Sequence, residues 1–351
     1  MSSKNFHEQI DDYKDSICAI IGFVNLFLFD DETKKMRPDI KVAQGRRMKT
    51  SESNPITPNS EVTPDFCIQH PSNKGVVGEV KKSFPKNQDH WQDDFSQLRK
   101  YDDDFLNWLT PSGKIDDHEI VLLSEQSRSR LVKKYFEDRK DKEIKFKKNI
   151  IIIEFNRNDQ AKSYFFFRKE YGTFKYFKDA NTRLEQGVPV PLEKLMLAYD
   201  KIKLYDSKPP LPYLLHLIWE NIILLRASEN QGFLAIRKNS KMPIDITVDQ
   251  IVDELHENYS FKSLNADNSS HQPNIPFKSW IKEAINALAT FKLAVWKSEI
   301  NGECTIYFKK YSDTLTTFID LCNENNFGKS SNEKQMDLFE AKKTSSVVHG
   351  K

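Results

Sequence analysis

Cysteine is scarce in this chain. Four residues in 351, Cys18, Cys67, Cys304 and Cys322, stand too far apart to form a CxxC pair. That spacing argues against the usual zinc and iron–sulfur arrangements, and the four read as reduced thiols, mostly in apolar surroundings. A charge of one sign is also missing. Fifty-three Lys+Arg against 51 Asp+Glu leave a formal net charge of +2, so any nucleic-acid contact has to come from local patches. The N-terminus MSSKNFHEQIDD lacks the basic-then-apolar order of a signal peptide. The apolar run ICAIIGFVNLFLF, Ile17 to Phe29, falls short of the roughly 20 residues that span a bilayer and reads as a buried helix. No membrane partner is expected, and the chain reads as cytoplasmic. A nucleotide-binding loop is absent as well. Gly328-Lys329-Ser330 has Asn323 where the first glycine should stand, and no strand precedes it.

What is present suits a polar globular protein of two domains, with 38% hydrophobic and 30% charged residues over 351 positions. Asn5 to Phe29 reads as a helix, acidic first and apolar second. Lys49 to Pro64 is a polar Ser/Pro/Thr-rich loop, and a first strand is expected somewhere between Ile40 and Val62. Pro64–Gln69 and Gly75–Lys82 read as short strands joined by the turn cluster HPSN. From Asn87 to Leu109, Trp91, Phe95, Leu98, Tyr101 or Asp102, Phe105 and Trp108 recur at helical spacing. Glu119–Ser124 (EIVLLS) is a buried strand, Glu125–Lys142 a charged helix, and Asn149–Phe155 and Ser163–Arg168 two more strands. The order predicts an α/β domain with a mixed sheet flanked by helices.

Character changes at Lys208-Pro209-Pro210, a linker. Leu211–Arg226 is a strongly apolar helix, and Thr247 N-caps a second over TVDQIVDELHENY. Pro276–Thr290 starts a third with proline. Asn301-Gly302 between alternating runs in Phe291–Lys310 signals a hairpin. Three helices closed by a hairpin is the order of a winged-helix domain. In such a domain Lys278 and Lys282 lie on the polar face of the third helix, and Lys297, Lys309 and Lys310 on or near the wing. A DNA-reading role and a protein-docking role both suit it. The predicted domains are therefore 1–207, 208–322 and a polar tail, 323–351, read as disordered.

The chemistry concentrates in TPDFCIQHPSNKGVVGEVKKSF, Thr63 to Phe84. Asp65 and Glu79 on adjacent strands can place two carboxylates around one hard divalent ion, which takes only one or two from the protein. Such an ion neutralises a phosphate and lowers the pKa of an attacking water. Lys81, two residues after Glu79, returns to the same face of its strand, where an ammonium can orient water or balance charge building at phosphorus. Lys82 should face the other way and matter least for such chemistry. His70 and His90 flank the candidate site as possible bases, although loop and helix-start histidines are more commonly structural.

Pro64-Asp65, thirteen residues, then Glu79-Val80-Lys81 resembles the PD-(D/E)xK nuclease motif, carried on consecutive strands of an α-β-β-β-α-β core. Gln97-Leu98-Arg99-Lys100-Tyr101 looks like the Q-x-x-x-Y motif of RecB-like members, a spacing that puts Gln97 and Tyr101 on one helical face. The resemblance covers about the first 125 residues well and extends to about 205. The cysteines flanking the core in iron–sulfur members are not here. It implies Asp65 and Glu79 as ligands of Mg²⁺ or Mn²⁺, Lys81 as the residue that helps activate water, and Gln97 and Tyr101 as residues that position the nucleic acid. The family's first-helix glutamate is assigned to Glu8, with Asp11 and Asp12 as alternatives.

In the tail, Gln335-Met336-Asp337-Leu338-Phe339 resembles the bacterial sliding-clamp-binding pentapeptide, with Met336 replacing the usual leucine. The expectation is a metal-dependent DNA endonuclease in which water attacks in line at phosphorus, of phage-defence, restriction or mobile-element type, docked on the clamp through Gln335, Leu338 and Phe339. A homodimer or a separate motor subunit would fit, since no ATPase motif is present. The competing class is a non-catalytic DNA-binding or assembly protein that keeps the fold.

Overall fold

Helix α1 (Phe6–Leu28) alternates acidic and apolar residues in its first half and turns almost wholly apolar after Cys18. Its second half lies on one face of the main sheet. Phe23 packs on Phe66 and Phe167 with ring centroids 5.5 and 6.0 Å apart, and Phe27 meets Phe174 and Phe177 edge-on. Burial of each such ring contributes about 2 kcal/mol. The structure is a computed structural model that describes residues 6–29, 35, 37, 39–44, 47–54, 56–82, 84, 91–110, 113–140, 144–158, 164–191, 204, 208–229, 241–259, 276–309 and 320.

After α1 come β1 (Lys41–Gln44), β2 (Met48–Lys49), β3 (Glu61–Val62), β4 (Phe66–His70), β5 (Lys74–Lys81), α2 (Trp91–Arg99), β6 (Leu109–Thr110), β7 (Gly113–Lys114), β8 (Asp117–Glu125), α3 (Gln126–Arg139), β9 (Ile150–Asn158), β10 (Tyr164–Tyr171), α4 (Lys178–Gln186) and β11 (Val188–Pro191). Seven strands form one mixed sheet in the order β1-β4-β5-β8-β9-β10-β11. Strands β1, β4 and β5 run as an antiparallel meander. Strand β8 lies parallel to β5 and β9 parallel to β8, after which β10 and β11 are antiparallel again. The two parallel crossovers carry α2 and α3, as parallel neighbours require. The result is α/β with a mixed sheet flanked by helices, as the periodicities predict.

Strand alternation divides the buried residues between two faces. Cys67, Val77, Ile120, Leu122, Ile150 and Ile152 pack with Trp91, Phe95, Leu98, Val132, Tyr135 and Phe136 of α2 and α3. Phe66 and Gly78, directly opposite across β4 and β5, belong to the α1 face. A methyl at Gly78 would stand 1.9 Å from Phe66 Cζ, so the ring lies over the strand only because glycine is there.

Helix α2 is shorter than the hydrophobic spacing predicts. It stops at Arg99, and Lys100, Tyr101 and Asp102 follow in a tight turn whose N–H groups donate to Gln97, Leu98 and Arg99 carbonyls. Asp102, nearly fully buried, accepts the Lys147 and Lys148 N–H groups at 2.8–2.9 Å. Tyr101, Phe105 and Trp108 are buried all the same, so helical spacing and core membership diverge here. The polar stretch before β4 is also more ordered than a loop reading suggests. Thr50 bonds the Ser60 N–H, and Ser51 and Ser53 donate to Asp103 at 2.7 and 2.6 Å.

The described residues of 209–251 and 278–320 group with those of 6–11 as a second compact unit, and those of 12–208 with those of 252–277 as the first. The second holds α5 (Leu211–Ile218), continued by a π-helical turn (Trp219–Ile223) into α6 (Leu224–Ser228), then β12 (Met242–Thr247), the start of α7 (Val248–Tyr259), α8 (Lys278–Thr290), β13 (Ala294–Ser298) and β14 (Glu303–Phe308). In the π turn the Asn221 side chain donates to Leu217 O at 3.1 Å, the carbonyl its own N–H would take in an unbroken α-helix. Thr247 Oγ1 accepts the Gln250 N–H and Gln250 Oε1 accepts the Thr247 N–H, a reciprocal cap. The strands pair β12-β14-β13. Strand β12, with Pro243 on a sheet edge where its missing N–H is harmless, is not apparent from the sequence. Gly302 closes the hairpin at φ +69°, a conformation that suits glycine. Among the described residues, no helix is long and apolar enough to cross a membrane.

Candidate functional site

Phe66 pairs with Gly78 in the β4–β5 ladder, and continuing that register by one residue sets Asp65 opposite Glu79. Both carboxylates are buried at 4% exposure, so each needs charge or hydrogen-bond partners. Asp65 Oδ2 accepts the Val80 N–H at 2.6 Å, a charge-assisted bond that ties the carboxylate to the next strand. Glu79 Oε2 accepts the Tyr101 hydroxyl at 2.8 Å, and its Oε1 accepts Gln97 Nε2.

The Gln97 amide bridges the Glu79 carboxylate and the Lys81 ammonium. Lys81 Nζ donates to Gln97 Oε1 at 2.7 Å, while its carboxylate neighbours stand farther off, Asp94 Oδ1 at 3.4 Å and Glu79 Oε1 at 3.6 Å. An amide so placed has one favourable orientation, because a flip would set NH₂ against ammonium and carbonyl against carboxylate. Gln97 thus fixes the spacing of the two charges. Asp94 was not singled out by sequence. It stands three residues before Gln97 on the same helical face, which is the signal that finds it. Burial pushes its pKa up, opposed by Lys81.

Tyr101 reaches Glu79 from the turn beyond α2 rather than from the helix. Its carbonyl accepts His118 Nε2–H at 2.7 Å, and the His118 ring stacks on Phe105 with centroids 5.0 Å apart. Full burial holds the His118 pKa down at about 4. His118, Asp102 and Asp103 together support the turn that carries Tyr101, and none is marked by a local motif. The Asp102-Asp103-Asp104 run shortly after α2 is the trace of the two aspartates in the sequence.

Lys82 faces away from this cluster. Its ammonium lies 2.8 Å from Asp12 and 2.7 Å from Asp15 of α1, and Arg157 meets Asp15 at 2.8 Å. Burial would lower the Lys82 pKa, but the two carboxylates more than offset this and raise it. Asp12 is therefore brought to Lys82, on the opposite face of the sheet from Glu79. Glu8 is exposed in the first turn of α1 and Asp11 is exposed one turn later. Among the described residues, no group of three or more His, Cys, Asp or Glu is arranged to hold a metal ion. Asp65 and Glu79 form a pair of hard oxygen donors of the number Mg²⁺ usually takes from a protein.

His70 does not flank the site. It ends β4, about 17 Å along the strand from Asp65 by strand geometry, bonded to Ser72 and edge-on to Phe177, with its pKa lowered first by burial. His90 lies outside the described residues. In the second unit, Lys278 pairs with Asp249 at 2.8 Å and Lys297 with Asp245 at 2.7 Å, and Lys282 is half-buried on α8. Cys18, Cys67 and Cys304 are free thiols. Gln335, Leu338 and Phe339 lie outside the described residues. No family model matches this chain, and no curated protein or solved structure matches it.

Proposed function

We propose that this chain is a metal-dependent nuclease that hydrolyses phosphodiester bonds of DNA at Asp65, Glu79 and Lys81. One observation carries the reading: two buried carboxylates oppose each other across β4 and β5, with an ammonium fixed beside them by a bridging glutamine. The chain order α1, β1, β4, β5, α2, β8, with three antiparallel strands and a parallel fourth, supports the resemblance to the PD-(D/E)xK core. Asp65 and Glu79 would hold Mg²⁺ or Mn²⁺, which when bound supplies charge neutralisation and an acidified water. Tyr101 and Gln97 orient the Glu79 carboxylate. Lys81, bonded to a neutral amide and only loosely to acids, keeps a proton-donating ammonium available to water or to a phosphate oxygen.

The helix–strand–helix–helix–hairpin order of the second unit, with its first strand paired to the hairpin, supports a winged-helix reading. Its lysines Lys278, Lys282 and Lys297 are proposed DNA contacts. Docking of Gln335, Leu338 and Phe339 on a sliding clamp belongs to the same proposal. Loss of binding to purified clamp on Leu338→Ala/Phe339→Ala is the expected result.

The decisive measurement is nicking of supercoiled plasmid with Mg²⁺ by wild type, Glu79→Ala and Lys81→Ala. Activity in wild type that falls a hundredfold or so in both variants is expected, the scale on which removal of one transition-state contact acts. Equal behaviour of all three would favour a non-catalytic DNA-binding or assembly protein.

A further inference from the structure

Lys81 on β5 and Ser124 on β8 are register partners in parallel strands. Helix α3 begins two residues after Ser124, so its first turn lies about 10 Å from the Lys81 level, given strand spacing near 4.8 Å and a helix rise of 1.5 Å per residue. The C-terminal ends of parallel strands are where ligands bind in α/β sheets. We propose that the N-terminal half of α3 binds the phosphodiester backbone of the nucleic acid cut at the neighbouring site, an inference that rests on the nuclease reading.

Cations crowd the first half of α3, although Glu125 precedes the helix and Arg139 stands in its last turn. Arg128, Arg130, Lys133 and Lys134 fall in the first nine residues, no acid stands in the first turn, and Glu137 and Asp138 come near the C-terminus. Cations at a helix N-terminus are unfavourable on their own, and an anion outside the helix removes the conflict. Ser127, Arg130 and Lys134 are exposed and, at i, i+3 and i+7, share one stripe.

Several cations elsewhere in the same unit find acids. Lys82, Lys148, Arg157, Arg168 and Lys169 each hold a carboxylate within 2.6–2.8 Å. The four on α3 have no carboxylate partner among the described residues. Helix α3 also starts without a side-chain cap, which leaves its first N–H groups available.

A separate observation comes from the junction itself. Ser124 is fully buried, and its Oγ has no hydrogen-bond partner among the described residues. Alternation puts it on the Leu122 face, beneath α3. A buried hydroxyl is expected to have a partner, and Ser124 stands level with Lys81 at the strand ends where the proposed phosphodiester would lie.

The test uses the full chain with a fluorescein-labelled DNA duplex, read by anisotropy in Ca²⁺ across a KCl series. Arg130→Glu/Lys134→Glu is expected to weaken binding by about tenfold or more and to lower the salt slope by about two, one for each lost phosphate contact. Arg130→Gln/Lys134→Gln should show a smaller loss in the same direction, and an unchanged melting temperature shows that the chain is folded. Affinity and slope unaltered in both variants would overturn the proposal, as would a wild type that binds no duplex. Nicking in Mg²⁺ separates the two readings. Binding through Arg130 and Lys134 without Glu79-dependent nicking sinks the nuclease and leaves the surface. Glu79-dependent nicking with binding indifferent to both residues does the reverse.

Discussion

Lys81 ends β5 and Lys82 directly follows it, and the two faces of the sheet treat them differently. Lys82 is clamped between Asp12 and Asp15 at 2.7–2.8 Å, with Arg157 completing the network. Lys81 bonds a neutral amide at 2.7 Å and keeps its two carboxylates at 3.4 and 3.6 Å. The first arrangement matches charge with charge and leaves little for a ligand to gain. The second holds an ammonium and a carboxylate in fixed positions through Gln97 and Tyr101 without letting them neutralise each other closely. Saturation of the charge, more than burial or sequence position, distinguishes a tie between elements from the site proposed for chemistry.

The largest expected effect breaks this comparison directly. Lys81→Met should lower plasmid nicking about a hundredfold or more while shifting stability by only about 1 kcal/mol. Lys82→Met should do the opposite. It leaves Asp12 and Asp15 with a single cation in a half-buried setting, between the small cost of exposed pairs and the several kcal/mol of buried ones, for a loss of about 2 kcal/mol. Nicking should stay near wild type. Denaturant titration beside the plasmid assay checks both, and a Lys82 variant that loses activity without losing stability would remove the distinction.

How much of this was visible beforehand depends on the range of the contacts. The Asp65, Glu79 and Lys81 pattern was legible because strand alternation sets it within a few residues, and so was the opposite orientation of Lys82. Hydrophobic spacing places Tyr101 on a helix that in fact stops at Arg99, because its turn is imposed by Asp102, His118 and the Ser51–Ser53 segment, all distant in sequence or without a motif. Asp12 and Asp15 as partners of Lys82 rest on contacts across nearly seventy residues, which periodicity cannot supply. Helix α4 and strand β11 are not legible in the sequence because KDANTRLEQ and VPVP carry weak apolar patterns, a propensity overridden by packing against β10.

A pH titration sharpens the comparison on the Lys81 face. His118 has a folded-state pKa of about 4 because it is buried, below the ordinary value of 6.5, so the unfolded chain takes the proton first. The stability contributed is fully present above pH 6.5 and is lost as the pH falls toward 4, about 2 kcal/mol between pH 6.5 and 5. His118→Gln keeps a donor for the Tyr101 carbonyl and should flatten that part of the profile. Melting curves across this range check it, and an equally steep loss in the variant would assign the acid sensitivity elsewhere.

The smallest effect concerns the orientation of Glu79 itself. Tyr101→Phe removes one bond, the 2.8 Å donation to Glu79 Oε2, and leaves the ring in its buried place. The stability cost should be about 1 kcal/mol, the usual net value of a single hydrogen bond. Gln97 still holds Oε1, so the carboxylate keeps its place but gains rotational freedom. Nicking should fall by a factor of about ten at most, with the Mg²⁺ concentration for half-maximal rate rising a few-fold, as outer-partner losses at metal sites do. That Mg²⁺ shift is the informative readout, because a purely structural tyrosine would lower the melting temperature without moving it. If Tyr101→Phe instead matches Lys82→Met, with lost stability and an unmoved Mg²⁺ dependence, then the Tyr101 bond does not set the Glu79 carboxylate and Tyr101 belongs with the ties rather than with the site.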